Sequence, residues 1–155
     1  ELYRRLASHP RLALTTFSQH LASLVGPTPA LDRLVAGSWV YGTLSTWIGA
    51  PDKNRAWDML GAAKATYDRA LASRTWSDAE RERLEYQLAT CEGSDWFWWF
   101  GDDNPAEAVN DFERLYRLQL QQLYELLGEA APEYLSRPFT TRSGAAEHGG
   151  VMKRN

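Results

Sequence analysis

Residues 93–103, with the sequence GSDWFWWFGDD, place five consecutive aromatic side chains between carboxylates. An indole offers a flat apolar face on which the C–H face of a pyranose can stack, and a carboxylate accepts several hydrogen bonds from hydroxyls. Residues 92–113 include seven acidic side chains and no Lys or Arg. Phosphate and nucleic acid attract basic residues, so this composition favours a sugar as the ligand. The competing interpretation is that most of these rings pack between helices while the acids face water.

The spacing of these residues decides which of them can act together. On one continuous helix, Asp95, Trp98, Trp99 and Asp102 would share a side by the i, i+3, i+4 rule. Trp96 would then point elsewhere. The five rings therefore cannot all face one core.

Residues 37–60 have a similar character, with four aromatic residues, glycines, Asn54 and Asp58. Trp39 and Trp47 lie in the glycine-rich part, where side chains are often exposed and functional, and the sequence favours ligand contact and packing equally for them. Trp57 lies in a helical stripe, so packing is predicted for it. We predict that Ser38 and Ser94 cap helices or turns. The residues predicted to contact sugar are Trp39, Trp47, Asp95, Trp98, Asn54 and Asp102.

The elements that must position these residues are mainly helical. Apolar residues recur at three- and four-residue steps in three long segments, which predicts a helical bundle of about three long helices. Before them we expect a short helix over residues 1–8, a strand-like run over 11–16, a helix over 17–24 and loops over 26–49. Minor strand content at the N-terminus therefore accompanies the mainly α fold.

Local signals predict where the long helices begin and end. Pro51 suits the first turn of a helix that runs to about Ser73. Ser77 and Glu80 form a capping box for the next helix, on which Cys91 is a small packing residue. Residues 104 and 105, Asn-Pro, open the last helix, and Gly128 is a natural stop. Residues 139–155 are predicted to be a flexible tail.

The two aromatic stretches together resemble the C-terminal part of glycoside hydrolase family 57, whose members act on α-glucans. The resemblance covers about residues 12–138. Phe112, Leu115, Tyr116 and Leu120 are similar to the helix that follows the aromatic stretch in that family. The other matching segments are GSW at 37–39, WIG at 47–49, NRAW at 54–57, EGSDWFWW at 92–99, GDD at 101–103 and PEYLSRP at 132–138.

This resemblance implies a distorted barrel followed by a helical domain. The catalytic Glu nucleophile and Asp acid/base of the family lie in the barrel, before the segments matched here. The resemblance therefore implies that residues 1–25 are a remnant of the last barrel element and that 26–138 are the helical domain. It also implies an α-glucan of the starch or glycogen type as substrate, the missing N-terminal barrel as partner, and no catalytic residue in this chain. Gln19 stands where the family pattern implies a Glu.

A catalytic pair built by this chain alone is disfavoured. Asp95 with Asp102 or Asp103 is the only candidate in an aromatic setting, and these residues lie ~10 Å apart along a helix. That separation is long for a nucleophile and its acid/base partner. Two other classes stay open: a protein-interaction module with a tryptophan-rich surface, and a complete small enzyme, for which no Ser-His-Asp or Cys-His arrangement is evident.

Composition sets the remaining expectations. The chain has 155 residues, a formal net charge of −3 and a pI near 5.6, which gives no general attraction to nucleic acid or anionic membrane. The three histidines, His9, His20 and His148, are scattered, so neither a metal nor another cofactor is predicted. The single cysteine favours a cytoplasmic location.

Overall fold

A computed structural model describes residues 1–27, 30–102 and 104–140 of the chain. The chain divides into two compact units: unit one is Glu1–Ala36, and unit two begins at Gly37. The described residues form helices and loops and contain no strand. The predicted mainly α fold is therefore confirmed, and the predicted minor strand content is wrong. Most of the predicted tail, residues 141–155, lies outside the described residues.

Unit one contains two short helices, α1 at Leu2–Ala7 and α2 at Phe17–Ser23. Residues 11–16 are not a strand, because a lone extended segment without a paired neighbour has no ladder to join. Thr16 instead caps α2: its Oγ1 accepts from the Gln19 backbone N–H at 3.2 Å, and the Gln19 side-chain oxygen accepts from the Thr16 N–H at 3.2 Å. Gln19 thus has a local structural role that the family comparison did not indicate.

None of the described residues of unit one is buried. Phe17 and Leu21 lie one turn apart on α2 and are 89% and 58% exposed. A folded unit normally covers such side chains, so the described residues of unit one present an apolar surface and form no buried core. The other large apolar residues exposed here are Leu2, Tyr3, Leu12, Leu14, Leu24, Val25, Leu31, Leu34 and Val35.

Unit two contains the three predicted long helices and two short elements. The helix α6 packs against α3, α4, α5 and a 3-10 helix, so it is the central element of this unit. No helix in the described part of the chain is long and apolar enough to cross a membrane. The elements are α3 at Pro51–Ser73, α4 at Asp78–Cys91, α5 at Ser94–Trp99, α6 at Ala106–Leu127 and the 3-10 helix at Glu133–Ser136.

The core of unit two forms where the predicted stripes meet. Tyr116, Leu120 and Leu123 of α6 are fully buried, as are Ala56 and Ala63 of α3. Small alanines on one helix let the larger side chains of its neighbour approach closely, and each buried leucine contributes about 2 kcal/mol. The predicted stripes on α3, α4 and α6 are confirmed as core-facing.

The long helices end as their sequence signals predict. The capping box of Ser77 and Glu80 is present at the start of α4. Gly128 ends α6 with φ +71, the left-handed conformation that glycine adopts readily. The Arg74 guanidinium donates to the Leu127 carbonyl at 3.1 Å and lies 3.7 Å from the Trp76 ring centroid. Arg74, which is distant from Leu127 in the sequence, thus provides a hydrogen bond to one of the carbonyls that have no partner within the helix.

A buried ion pair attaches the C-terminal segment to α6. Glu113 is 2% exposed, and its Oε1 accepts from Arg117 Nε at 2.6 Å and from the Phe139 backbone N–H at 2.9 Å. Arg117 also donates to the Leu135 carbonyl at 3.0 Å. The interpretation that the acids of residues 92–113 face water is therefore wrong for Glu113. Its carboxylate and Arg117 hold the 3-10 helix and the segment after it.

We predict that Arg117→Met lowers the free energy of unfolding by about 3 kcal/mol, because it leaves the Glu113 carboxylate buried without its cation. Urea denaturation followed by circular dichroism measures this difference. Arg114→Met is the matched control: Arg114 is exposed on the same helix, and its change is expected to stay within about 0.5 kcal/mol. Equal losses in the two variants would contradict a structural role for the pair.

We also predict a pH-dependent contribution from Glu80. Hydrogen bonds from the Ser77 hydroxyl at 2.6 Å and the Ser77 backbone N–H at 2.8 Å lower the pKa of the Glu80 carboxyl. A lowered folded-state pKa stabilises the protein above the unfolded-state pKa, ~4.3, and this stabilisation is lost as the pH falls through the folded-state pKa. The stability difference between wild type and Glu80→Gln should therefore shrink between neutral and strongly acidic pH.

The control for this measurement is Glu82→Gln at an exposed position of the same helix, which should show little difference from wild type at either pH. Chemical denaturation at several pH values provides the comparison. A Glu80→Gln difference that stays constant or grows on acidification would contradict the assignment.

Candidate functional site

The short helix α5 ends at Trp99, earlier than a continuous helix through Asp102 would require. The Asn104 amide donates to the carbonyls of Trp98 at 2.9 Å and Trp99 at 3.1 Å, so it caps the end of α5. Gly101 follows with φ +99. The prediction that Asp95, Trp98, Trp99 and Asp102 share one helix side is therefore wrong, because Asp102 lies beyond the cap.

Four of the five consecutive rings of residues 96–100 pack within unit two. Phe97 and Phe100 are 0% exposed and lie edge-on to each other with centroids 6.2 Å apart. Trp99 stacks on Phe112 at 4.8 Å with an interplanar angle of 15°. Trp96 also contacts Phe112 and donates its indole N–H to the Thr90 carbonyl at 2.7 Å. Packing therefore accounts for these four rings.

Trp98 is the ring that turns toward the glycine-rich loop. Its centroid lies 6.4 Å from that of Trp39, with the planes 14° apart, and 5.8 Å from that of Trp47 in an edge-on arrangement. We call Trp39, Trp47 and Trp98 the tryptophan cluster. Trp39 is 76% exposed, whereas the other two are partly buried. Three of the six residues predicted to contact sugar are thus brought together.

Trp57 links the cluster to the core through a ring contact with Phe97 and a hydrogen bond to the backbone of Trp47. Its ring stacks on Phe97 with centroids 3.7 Å apart and planes 6° apart. Its indole N–H donates to the Trp47 carbonyl at 3.0 Å, which fixes the backbone that presents Trp47. The packing role predicted for Trp57 is confirmed.

Polar side chains at the start of α3 anchor the loop. Asn54 accepts from the Gly49 N–H at 2.8 Å and donates to the Gly49 carbonyl at 3.3 Å. The buried Lys53 ammonium donates to the Thr46 carbonyl, and its Cε would lie 3.1 Å from a Cβ added at Gly101. Asn54, predicted to contact sugar, therefore uses both amide atoms to hold the loop. Lys53 also brings a cation close to a stretch that has none in its own sequence.

The two predicted acidic contacts, Asp95 and Asp102, are exposed. Asp95 lies in the first turn of α5, three residues before Trp98, so the two lie on neighbouring positions of one helix side. Asp102 follows the left-handed Gly101. Asp103 lies outside the described residues. Asp95 is thus the carboxylate that local geometry associates with the cluster.

The described residues bring together no group of three His, Cys, Asp or Glu side chains that could hold a metal ion. Cys91 is 0% exposed, and burial raises the pKa of its thiol to about 12. A neutral buried thiol is a poor nucleophile, so the packing role predicted for Cys91 is confirmed.

No family model, curated protein or solved structure matches this chain. The resemblance to glycoside hydrolase family 57 therefore depends on the quoted sequence segments alone.

The geometry predicts stability effects of different size for substitutions of two tryptophans. Trp57→Ala should lower the free energy of unfolding by about 2 kcal/mol, because it removes the stack on Phe97 and a hydrogen bond. Trp39→Ala should change it by less than about 1 kcal/mol, because the ring is mostly in water. Urea denaturation of both variants tests this, and a larger loss for Trp39→Ala would show that Trp39 is part of the core.

Proposed function

We propose that unit two is the carbohydrate-binding helical domain of an α-glucan-processing glycoside hydrolase or transferase of the family 57 type. The observation that carries this proposal is the exposed Trp39 ring, which lies nearly parallel to Trp98, the ring that also contacts Trp47 edge-on. Large rings are expensive to leave in water, and an exposed, supported aromatic patch is a common mark of a binding surface.

A sugar suits this surface better than a purely apolar ligand. The indole faces stack on the C–H side of a pyranose, while the carboxylate of Asp95, one turn before Trp98 on α5, accepts hydrogen bonds from its hydroxyls. The Trp57–Phe97 stack and the Asn54 contacts with Gly49 fix the cluster before the ligand arrives. A fixed site loses little conformational entropy on binding.

The proposal assigns bond cleavage or transfer to a catalytic barrel supplied outside these residues. The family resemblance implies that the Glu and Asp pair lies there, and Asp95 and Asp102 are exposed to water. The exposed apolar side chains of unit one, such as Phe17 and Leu21, support this division, since they need a further surface to pack against.

A protein-interaction module is the second candidate, favoured by the same exposed side chains of unit one. Aromatic residues anchor many protein interfaces. The two candidates differ in the ligand of the tryptophan cluster: the first requires a free sugar to bind there, whereas the second requires no sugar affinity.

Titration of the chain with maltoheptaose, followed by tryptophan fluorescence, tests the proposal. We expect the wild type to bind and both Trp39→Ala and Trp98→Ala to lose about tenfold in affinity, equivalent to ~1.4 kcal/mol. Tyr86→Ala is the matched control, because Tyr86 is 76% exposed on α4 and outside the cluster. Cellohexaose, a β-linked glucan, tests whether the surface selects the α linkage.

Calorimetry with the same sugars removes the ambiguity of deleting a fluorophore. No maltoheptaose binding by the wild type, or equal affinity in wild type and both cluster variants, would contradict the proposal. An assay for new reducing ends should stay negative, because the proposal places the catalytic pair elsewhere.

A further inference from the structure

The loop that presents Trp39 contains a strained residue. Tyr41 has φ +52, and within the described part of the chain it is the one residue other than glycine with a positive φ. A bulky side chain in this left-handed region costs free energy that glycine or asparagine would largely avoid. Such strain persists when the surrounding structure enforces it, and it often occurs where the side chain has a function.

Contacts within the loop enforce this conformation. A Cβ added at Gly37 would lie 2.5 Å from the Gly42 carbonyl oxygen, so the two ends of the turn approach as closely as glycine allows. The Ser38 hydroxyl accepts from the Val40 N–H at 3.1 Å and lies within hydrogen-bonding reach of the Val40 and Thr43 carbonyls. The turn-capping role predicted for Ser38 is confirmed.

The result of this turn is that neighbouring side chains point in opposite directions. Val40 is 2% exposed, whereas Trp39 is 76% and Tyr41 51% exposed. In the described structure Tyr41 makes no hydrogen bond through its hydroxyl. About half of Tyr41 is therefore in water, and no hydrogen bond of its hydroxyl offsets the backbone strain.

We propose that Tyr41 is a further sugar-contacting residue, which binds the glucan unit next to the one stacked on Trp39. The inference rests on the proposed function of the tryptophan cluster. Two residues of backbone span at most ~7 Å, so an oligosaccharide lying on Trp39 reaches Tyr41 when it extends past the indole. The phenol offers it an apolar face and a hydroxyl that both donates and accepts. The ligand class is thus a chain of at least two sugar units.

Tyr41→Gly is the informative variant, because glycine adopts φ +52 without strain. Its melting temperature should equal or exceed that of the wild type, while its affinity for maltoheptaose should fall about fivefold. Its affinity for glucose should stay unchanged, since a single unit stacked on Trp39 does not reach Tyr41. Tyr41→Phe keeps the ring and removes the hydroxyl. Its affinity for maltoheptaose should therefore lie between those of the wild type and Tyr41→Gly.

Calorimetry with glucose and maltoheptaose measures these affinities, and Tyr86→Ala provides the control for loss of an exposed tyrosine. Wild-type maltoheptaose affinity in Tyr41→Gly, with a loss in Trp39→Ala, would overturn the role of Tyr41 and leave the proposed function standing. An equal loss for glucose and maltoheptaose would also overturn it. No binding by the wild type would overturn the proposed function, and this inference with it.

Discussion

The buried ring of Tyr116 is the contact on which the rest of unit two depends. It lies on α6 and contacts Phe97 of α5, Phe100 after α5 and Phe139 of the C-terminal segment. Its hydroxyl donates to the Ala56 carbonyl on α3 at 3.0 Å, and burial raises the pKa of this phenol, so it stays a neutral donor. One side chain thus sets the distance between the two long helices and the aromatic turn. Phe97, fixed in this way, supports Trp57 and through it the loop that presents the cluster.

Signals within a few residues of one another predicted much of this fold. Pro51, the Ser77 and Glu80 box, and Gly128 each act through their own backbone surroundings, so the ends of the long helices could be predicted from the sequence. The end of α5 could not, because Asn104, directly before Pro105, indicates only the opening of α6 in the sequence. Its side-chain amide instead donates hydrogen bonds to carbonyls five and six residues earlier. The spacing of apolar residues does not predict such a contact.

The candidate site shows the same limit. The sequence predicts sugar contact for Trp39, Trp47 and Trp98 among six residues, and in the structure Trp98 contacts both of the other rings. Asn54 has the chemistry of a sugar contact, but the conformation of Gly49 turns its amide to the loop backbone. Tyr41 lies in the same stretch of sequence, but only its positive backbone angle φ distinguishes it from an ordinary loop tyrosine. Tertiary contacts therefore decide which of several suitable residues face outward.

The close indoles of the cluster have an optical consequence. Two such rings only 5.8 Å apart and inclined by 60°, as Trp47 and Trp98 are, couple their electronic transitions rather than absorbing independently. Coupled chromophores in a fixed chiral arrangement give paired circular-dichroism bands of opposite sign, and the size of these bands depends on the angle between the rings. The circular-dichroism bands of this tryptophan pair should therefore change when either indole rotates, and no added label is needed to detect the rotation.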